Sequence, residues 1–338
     1  MIESVEFKNF KVLRDATLPL GRFTLLIGPN GSGKTTALQG LDASRAPVGY
    51  SFWQVLSTAG VDPNKGEAVQ IILEWSAQEG HATTSITWPP DARPTVEHNE
   101  LPPFRPGQLW QNVLNDTMKG IRLYCLEASV IAQPVQLQPS MELQRNGHCL
   151  PGVLDRLRDG APERFEALND ELGRWLPEFD KILFSTPGSG LRGIALRTRR
   201  GQHEIPAANL SQGTLLALTI LTLAYLPAPP PLIGLEEPDR GIHPRLLRDV
   251  RDALYRLSYP EQFGEEREPV QVVATTHSPY MLDLYRDHPE EIVIAQKNGQ
   301  EARFERLTDR PDVDEILQDA HLGDLWYSGI LGGVPAEQ

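Results

Sequence analysis

The chain has 338 residues, 40% of them hydrophobic and 23% charged, the proportions of a soluble globular protein able to bury a sizeable core. A formal net charge of −13 excludes a global positive field that would draw the chain to nucleic acid. Two cysteines, Cys125 and Cys149, exclude a disulfide framework or a cysteine metal site and read as stray buried thiols of a cytoplasmic protein.

No early run has the form of a signal peptide, and no apolar stretch is long enough to cross a bilayer. The longest, Leu215 to Leu226, is short and interrupted by threonines. Alternation from Ile2 to Phe7, a turn at Lys8-Asn9 and a second run to Leu20 predict a β-hairpin. Phe23 to Ile27 is a short buried strand. Gly28-Pro29-Asn30-Gly31-Ser32-Gly33-Lys34-Thr35 follows it and fits G-x-x-x-x-G-K-[ST], with Thr36 next, opening a helix that runs to about Asp42. Glycines there let backbone N–H groups turn inward on a polyphosphate, and the helix start aims its positive end at the anion. Lys34 supplies a point charge for the β and γ phosphates, and the Thr35 hydroxyl is placed to ligate Mg²⁺.

Beyond Pro47 the pattern is less regular. Tyr50 to Leu56 reads as a helix, and Glu67 to Trp75 with Thr83 to Trp88 reads as a hairpin turning at Gln78-Glu79-Gly80. Pro89 to Gly107 carries six prolines and reads as a loop. Leu109 to Met118 and Val153 to Arg158 are helical, and Ile121 to Leu126 is a strand. From Pro162 the spacing of Phe165, Leu168, Leu172 and Trp175 predicts an amphipathic helix ended by Pro177. Lys181 to Ser185 and Leu191 to Thr198 are strands. The triplet Arg197, Arg199, Arg200 reads as a solvated turn rather than a basic patch.

Order returns at Leu210-Ser211-Gln212-Gly213-Thr214, where Ser211 is a natural N-cap for a long apolar helix. Leu232 to Leu235 is a buried strand ending in Glu236-Glu237-Pro238, and Pro244 to Leu257 is a helix. Val270 to Thr275 is a strand ending in Thr276-His277-Ser278-Pro279, followed by a short helix to Tyr285. Glu291 to Gln296 and Ala302 to Leu307 pair as the last strands. Strands alternating with helices imply a mostly parallel α/β core. Ligands of such sheets bind at the carboxyl ends of the strands. There Glu236 is placed to hold Mg²⁺ through water, and Glu237 to orient or deprotonate an attacking water.

Leu210 to Thr214 resembles the signature motif of the ABC ATPase superfamily, although Gln212 stands where many members have glycine and Thr214 where many transporters have glutamine. Asp239-Arg240-Gly241-Ile242-His243-Pro244 falls where that superfamily has its dimer-facing loop, with His243 in a capping or cross-dimer role. His277 resembles its switch histidine. The order of the motifs, the opening IESVEFKNFKVLRDATLPL, the run EEPDRGIHP and the long gap between Lys34 and Ser211 are similar to the RecF/SMC/OLD branch, the AAA_21 kind of predicted ATPase. The resemblance spans Met1 to Tyr50 and about Asn209 to Gln296. It implies a P-loop head: a mostly parallel sheet, an N-terminal antiparallel β subdomain and a helical insertion. Residues 1–48 and 209–310 are then the nucleotide core, 49–208 an insertion, and 311–338 a C-terminal helix and aromatic tail of one ATPase head.

The resemblance further implies ATP and Mg²⁺ as cofactors and a homodimer. Each ATP site would combine Asn30 to Thr36, Glu236, Glu237 and His277 of one subunit with Ser211 and Gly213 of the other. The glutamine loop is Gln133, in competition with Gln136 and Gln138. No heptad run sustains a coiled coil, and the residues after His277 are too few for an appended nuclease domain. Asp312 to Glu315 reads as the acidic first turn of a helix. Gly323 to Leu331 reads as a tail packed on the core, with a docking surface as the alternative. Two functions are carried forward. One is a regulator of DNA repair or anti-phage defence with its effector on another chain and DNA as a possible partner; the other is the energising subunit of a membrane transporter.

Overall fold

A computed structural model of the chain describes residues 1–57, 67–77, 80–101, 110–299, 301–319 and 321–332. The strands in chain order are β1 (Ile2–Phe10), β2 (Leu13–Pro19), β3 (Phe23–Ile27), β4 (Val69–Ala77), β5 (Gly80–Trp88), β6 (Thr95–Leu101), β7 (Arg122–Tyr124) and β8 (Val135–Gln136). They continue with β9 (Phe179–Ser185), β10 (Leu191–Thr198), β11 (Glu204–Pro206), β12 (Leu232–Glu236), β13 (Gln271–Thr275), β14 (Ile292–Asn298) and β15 (Glu301–Arg306). Two compact units share the chain. The first comprises Met1–Leu123, Pro231–Gly234 and Gln271–Gln338; the second comprises Tyr124–Pro230 and Leu235–Val270.

The first unit holds an antiparallel sheet ordered β2-β1-β4-β5-β6 and most of a six-stranded sheet ordered β15-β14-β3-β13-β12-β7. In the second sheet β3 pairs in parallel with β13 and with β14, and β15 pairs antiparallel to β14. The parallel centre is apolar throughout: every residue of β3 and of β13 is buried, as strands covered on both faces require. One buried cluster joins Val5 and Phe7 of β1, Ile71 of β4 and Trp88 of β5 to Leu41 of the helix Lys34–Arg45 and to Leu26 and Val273 of the parallel strands.

The first hairpin turns later than the sequence implies. Asn9 (φ 57°) and Lys11 (φ 50°) adopt left-handed backbone, so β1 runs through Asn9 and the chain reverses after Phe10, which pairs with Leu13. The helix after the phosphate loop extends three residues beyond Asp42 to Arg45. Only Phe52–Val55 of the expected Tyr50–Leu56 helix forms, under a capping box of Ser51 and Gln54. The β4–β5 hairpin has the expected partners, Ala77 facing Gly80; its turn residues Gln78 and Glu79 lie outside the described residues. The proline-rich stretch is not all loop. Thr95–Leu101 is β6, added to the sheet by pairing with β5, and it begins directly after Pro94, where proline costs no ladder bond. Pro102, Pro103 and Pro106 lie outside the described residues.

The second unit is helical around a small antiparallel sheet, β11-β10-β8 with β9 also on β10. Its helices include Leu150–Gly160, Pro162–Trp175, Gln212–Tyr225 and Leu247–Ser258. From Gly213 to Tyr225 every residue of Gln212–Tyr225 is buried. Its threonines survive there because Thr219 and Thr222 donate their hydroxyl protons to the carbonyls of Leu215 and Leu218, each at 2.7 Å. The arginine triplet is structural at its first two members: Arg197 forks onto Asp180 at 2.8 and 3.1 Å, and Arg199 donates to the Pro177 carbonyl at 3.0 Å.

In the first unit, Val313–Asp319 is a helix whose first turn holds Asp314 and Glu315, while Arg310 forks onto Asp312. The tail divides by face: Leu322, Trp326 and Leu331 are buried, whereas Tyr327 is 84% exposed. Both cysteines are half-buried rather than buried.

Candidate nucleotide site

β3 delivers the chain to Gly28 with φ 154°. A Cβ on Gly28 would meet the Ala295 carbonyl oxygen at 2.3 Å and Ser32 Oγ at 2.7 Å, so no larger residue fits this bend without displacing β14. The loop then doubles back, with the Ser32 amide donating to the Pro29 carbonyl at 3.2 Å. Lys34 is buried, and its Nζ donates to the carbonyls of Gly28 at 2.6 Å and Pro29 at 3.0 Å. Its ammonium is thereby folded into the concavity of the loop rather than released to solvent. Asn30, Gly31 and Thr35 are exposed, Thr36 half-buried, and Ser32 and Gly33 buried.

Two features fit this loop to a polyphosphate. Ser32 Oγ is buried with no hydrogen-bond partner, an arrangement that costs about 1–3 kcal/mol unless a ligand or water supplies the bond. The helix Lys34–Arg45 begins at Gly33 (φ 101°) with no side-chain cap and no acid in its first turn. Its amino end therefore presents backbone N–H groups to an anion. No group of three or more His, Cys, Asp or Glu side chains that would hold a metal ion occurs among the described residues.

His277 lies in the same unit as the loop. β13 runs parallel to β3 with Thr275 opposite Leu26, and the Thr276 amide donates to the Leu26 carbonyl at 3.2 Å. His277 thus leaves the sheet at the end where Gly28 leaves it. The Ser278 amide donates to Thr276 Oγ1 at 2.9 Å, and Ser278 Oγ caps the helix Pro279–Asp283. The half-buried imidazole is held on a short, doubly braced turn.

Glu236, Glu237, Ser211, Gly213 and Gln133 belong to the second unit. Glu237 has φ 46°, left-handed backbone that a residue with a Cβ avoids and that is further disfavoured before a proline. Its carbonyl accepts the Arg240 amide at 3.0 Å, and Arg240 Nη2 donates to the Leu126 carbonyl at 3.1 Å. Strain of this kind concentrates at functional positions. Beside it, Cys125 Sγ donates a hydrogen bond to the Glu236 carboxylate. Burial first, and then the Glu236 charge, push that thiol up. Neither the strained backbone of Glu237 nor the thiol contact has a signature in the one-dimensional pattern.

Ser211 is the N-cap of Gln212–Tyr225, accepting the Thr214 amide at 3.1 Å, and its Oγ lies 2.8 Å from Thr214 Oγ1. His243 is also a cap, its Nδ1 accepting the Arg245 amide at 3.2 Å. Gln133 is exposed, just past the helix Ala128–Ile131. Gln136, in β8, and Gln138 are exposed as well, so exposure does not choose among the three.

Two sequence families match the chain: an AAA ATPase domain over residues 1–43, and an "AAA domain, putative AbiEii toxin, Type IV TA system" over residues 139–283. An OLD nuclease of Thermus scotoductus is 22% identical over 364 aligned positions, covering 96% of this chain and 68% of that protein. An SMC head solved with the C-winged helix domain of ScpA superposes with a TM-score of 0.60 at 14% identity, over 90% of this chain and 96% of the other. The SMC head domain from Thermotoga maritima gives 0.51 at 15% identity, over 90% and 98%. With a glycine-rich loop at the carboxyl end of β3 and the fold of an SMC head, the chain is similar to the ABC-type ATPases of the RecF/SMC/OLD branch.

Proposed function

We propose that the chain is a Mg²⁺-dependent ATPase head that hydrolyses ATP when two copies pair, and that it regulates a DNA-related process, repair or anti-phage defence, through an effector on another chain. The observation that carries this reading is the phosphate loop, with Lys34 Nζ drawn onto the Gly28 and Pro29 carbonyls beside the partnerless Ser32 hydroxyl. Asn30 to Thr36 hold the phosphates of ATP. Thr35 and Glu236 hold Mg²⁺, which supplies charge neutralisation between the β and γ phosphates when bound. Glu237 orients the attacking water and takes its proton, and His277 donates to the γ-phosphate. Gln133, with Gln136 and Gln138 as its competitors, contributes the glutamine loop. Ser211 and Gly213 serve the nucleotide held by the opposite copy, so the homodimer completes two sites.

Residues 1–48 and 209–310 form the nucleotide core of one head in this reading, with 49–208 inserted and 311–338 as a C-terminal appendage. The DNA-related role is supported by the relative that is an OLD nuclease and aligns along nearly the whole chain. The cytoplasm is the compartment such a role implies, and no helix among the described residues is long and apolar enough to cross a membrane.

The test is Glu237→Gln with ATP, followed by sizing chromatography and by phosphate release with and without DNA. The expected result is a trapped dimer that hydrolyses poorly, and a wild-type rate that DNA stimulates. A monomer at every protein concentration, or full activity in the variant, contradicts the paired-head reading. Indifference to every form of DNA contradicts the DNA-related part.

A further inference from the structure

In the second unit the loop after Glu237 is seated against the start of the helix Gln212–Tyr225. A Cβ added at Gly213 would lie 2.5 Å from the Gly241 carbonyl oxygen. A Cβ added at Gly241 would meet the Gln212 side chain, 3.1 Å from Cδ and 3.2 Å from Nε2. Gly241 has φ 73°, a conformation natural to glycine. Two close approaches therefore interlock the two segments: Gly213 backbone against Gly241 backbone, and the Gln212 side chain against the open face of Gly241.

Each segment carries a residue of the proposed reaction, one position from the lock on one side and four on the other. Ser211 immediately precedes Gln212 and is fixed to the helix by the Thr214 amide. Glu237 is joined to Gly241 through consecutive turns. The Arg240 amide donates to the Glu237 carbonyl at 3.0 Å, and the Ile242 amide to the Asp239 carbonyl at 3.1 Å. Arg240 in turn anchors on the Leu126 carbonyl. A shift of the helix start must then be passed to the turn that holds Glu237 in its left-handed backbone. Gly213 is buried, and its close-packed backbone contact with the Gly241 carbonyl transmits displacement rather than absorbs it.

We propose that Gln212 is a positioning residue that, pressed on Gly241, ties the placement of Glu237 to that of Ser211. When Ser211 engages the nucleotide of the opposite copy, Gln212 and Gly241 bring the water-orienting carboxylate into register. This explains why a bulky side chain is accommodated at position 212, and it makes hydrolysis conditional on pairing. The inference rests on the paired-head reading given above.

The test is a double-mutant cycle on the full chain, reading kcat, the KM for ATP and the melting temperature of the wild type, Gln212→Ala, Gly241→Ala and the double variant. In Gly241→Ala the new methyl meets Gln212, and kcat is expected to fall about tenfold or more with the KM for ATP within about twofold. Gln212→Ala, at an exposed position, is expected to lower kcat about fivefold at an unchanged melting temperature. The double variant should recover the part of the Gly241→Ala loss that comes from the clash and keep only the cost of alanine in left-handed backbone at position 241. Losses that multiply across the cycle overturn the proposal, as does an unchanged kcat in Gln212→Ala. If Gly241→Ala does not fold, the Gln212→Ala result decides alone.

ATP-driven dimerisation in the Glu237→Gln background separates the two levels. No dimer and no wild-type hydrolysis overturns the paired-head reading. A dimer with a multiplicative cycle overturns only the role of Gln212.

Discussion

Replacing Glu237 by glycine and by alanine separates the cost of its backbone from the work of its carboxylate. Both variants lose the carboxylate together with every contact it makes, so those losses cancel between them. Alanine keeps a Cβ at φ 46°, whereas glycine removes it. Left-handed backbone costs a residue with a Cβ roughly 1–2 kcal/mol, and the freer unfolded chain of glycine takes back roughly 0.4–1 kcal/mol. Glu237→Gly is therefore expected to be more stable than Glu237→Ala by about 0.5–1 kcal/mol. At about 2–4 °C per kcal/mol for domains of 150–250 residues, that is a difference of about 1–4 °C in melting temperature. Both should lose ATP hydrolysis by at least about a hundredfold, the scale of a missing general base. Paired thermal melts without nucleotide, with phosphate release measured on the same preparations, are the assay. Equal melting temperatures, or a glycine variant less stable than the alanine one, would refute the claim that the site stores backbone strain. Retained hydrolysis in both would refute the role given to Glu237.

Lys34→Ala should weaken ATP binding by about a hundredfold or more, since charged hydrogen bonds contribute roughly 1.5–3 kcal/mol each; titration calorimetry with ATP is the check, and unchanged affinity would refute the loop's function. Glu265 yields a pH prediction. Burial raises its pKa, but the hydrogen bond from Arg267 and the charges of Arg256 and Arg267 outweigh burial and hold the carboxyl below its ordinary value. A depressed pKa contributes stability above the unfolded value of about 4.3, lost as pH falls through the folded value. Glu265→Gln should therefore lower the melting temperature at pH 7 and have progressively less effect below about pH 4; an effect independent of pH would contradict the ion cluster.

Much of the candidate site was legible because its signals are local. Gly28 to Thr36 needs only a strand before it and a helix after it, and both are written in the adjoining residues. The Ser211 cap was equally readable, since an N-cap is satisfied by an amide three residues on. So were β14 and β15, whose pairing is a hairpin between near neighbours in the chain. Less legible were elements whose neighbours are distant or whose own composition argues against them. β6 follows Pro94 in proline-rich sequence, and its edge position on β5 is what makes it a strand. The first turn moved because Asn9 and Lys11 took left-handed backbone, which the alternation of apolar residues does not encode.

By itself the sequence determined that a glycine-rich loop sits between a buried strand and a helix, that acidic residues end a second strand, and that a capped helix opens at Ser211. These follow from hydrogen bonding and apolar periodicity within a few residues. Only the tertiary structure decided that Glu237 stands in a conformation its own chemistry and the following proline disfavour, and that Gly213 and Gly241 meet at backbone distance. The reason is physical. A disfavoured dihedral or a close approach persists only where packing from elsewhere in the chain over-determines it, and no local propensity records that packing.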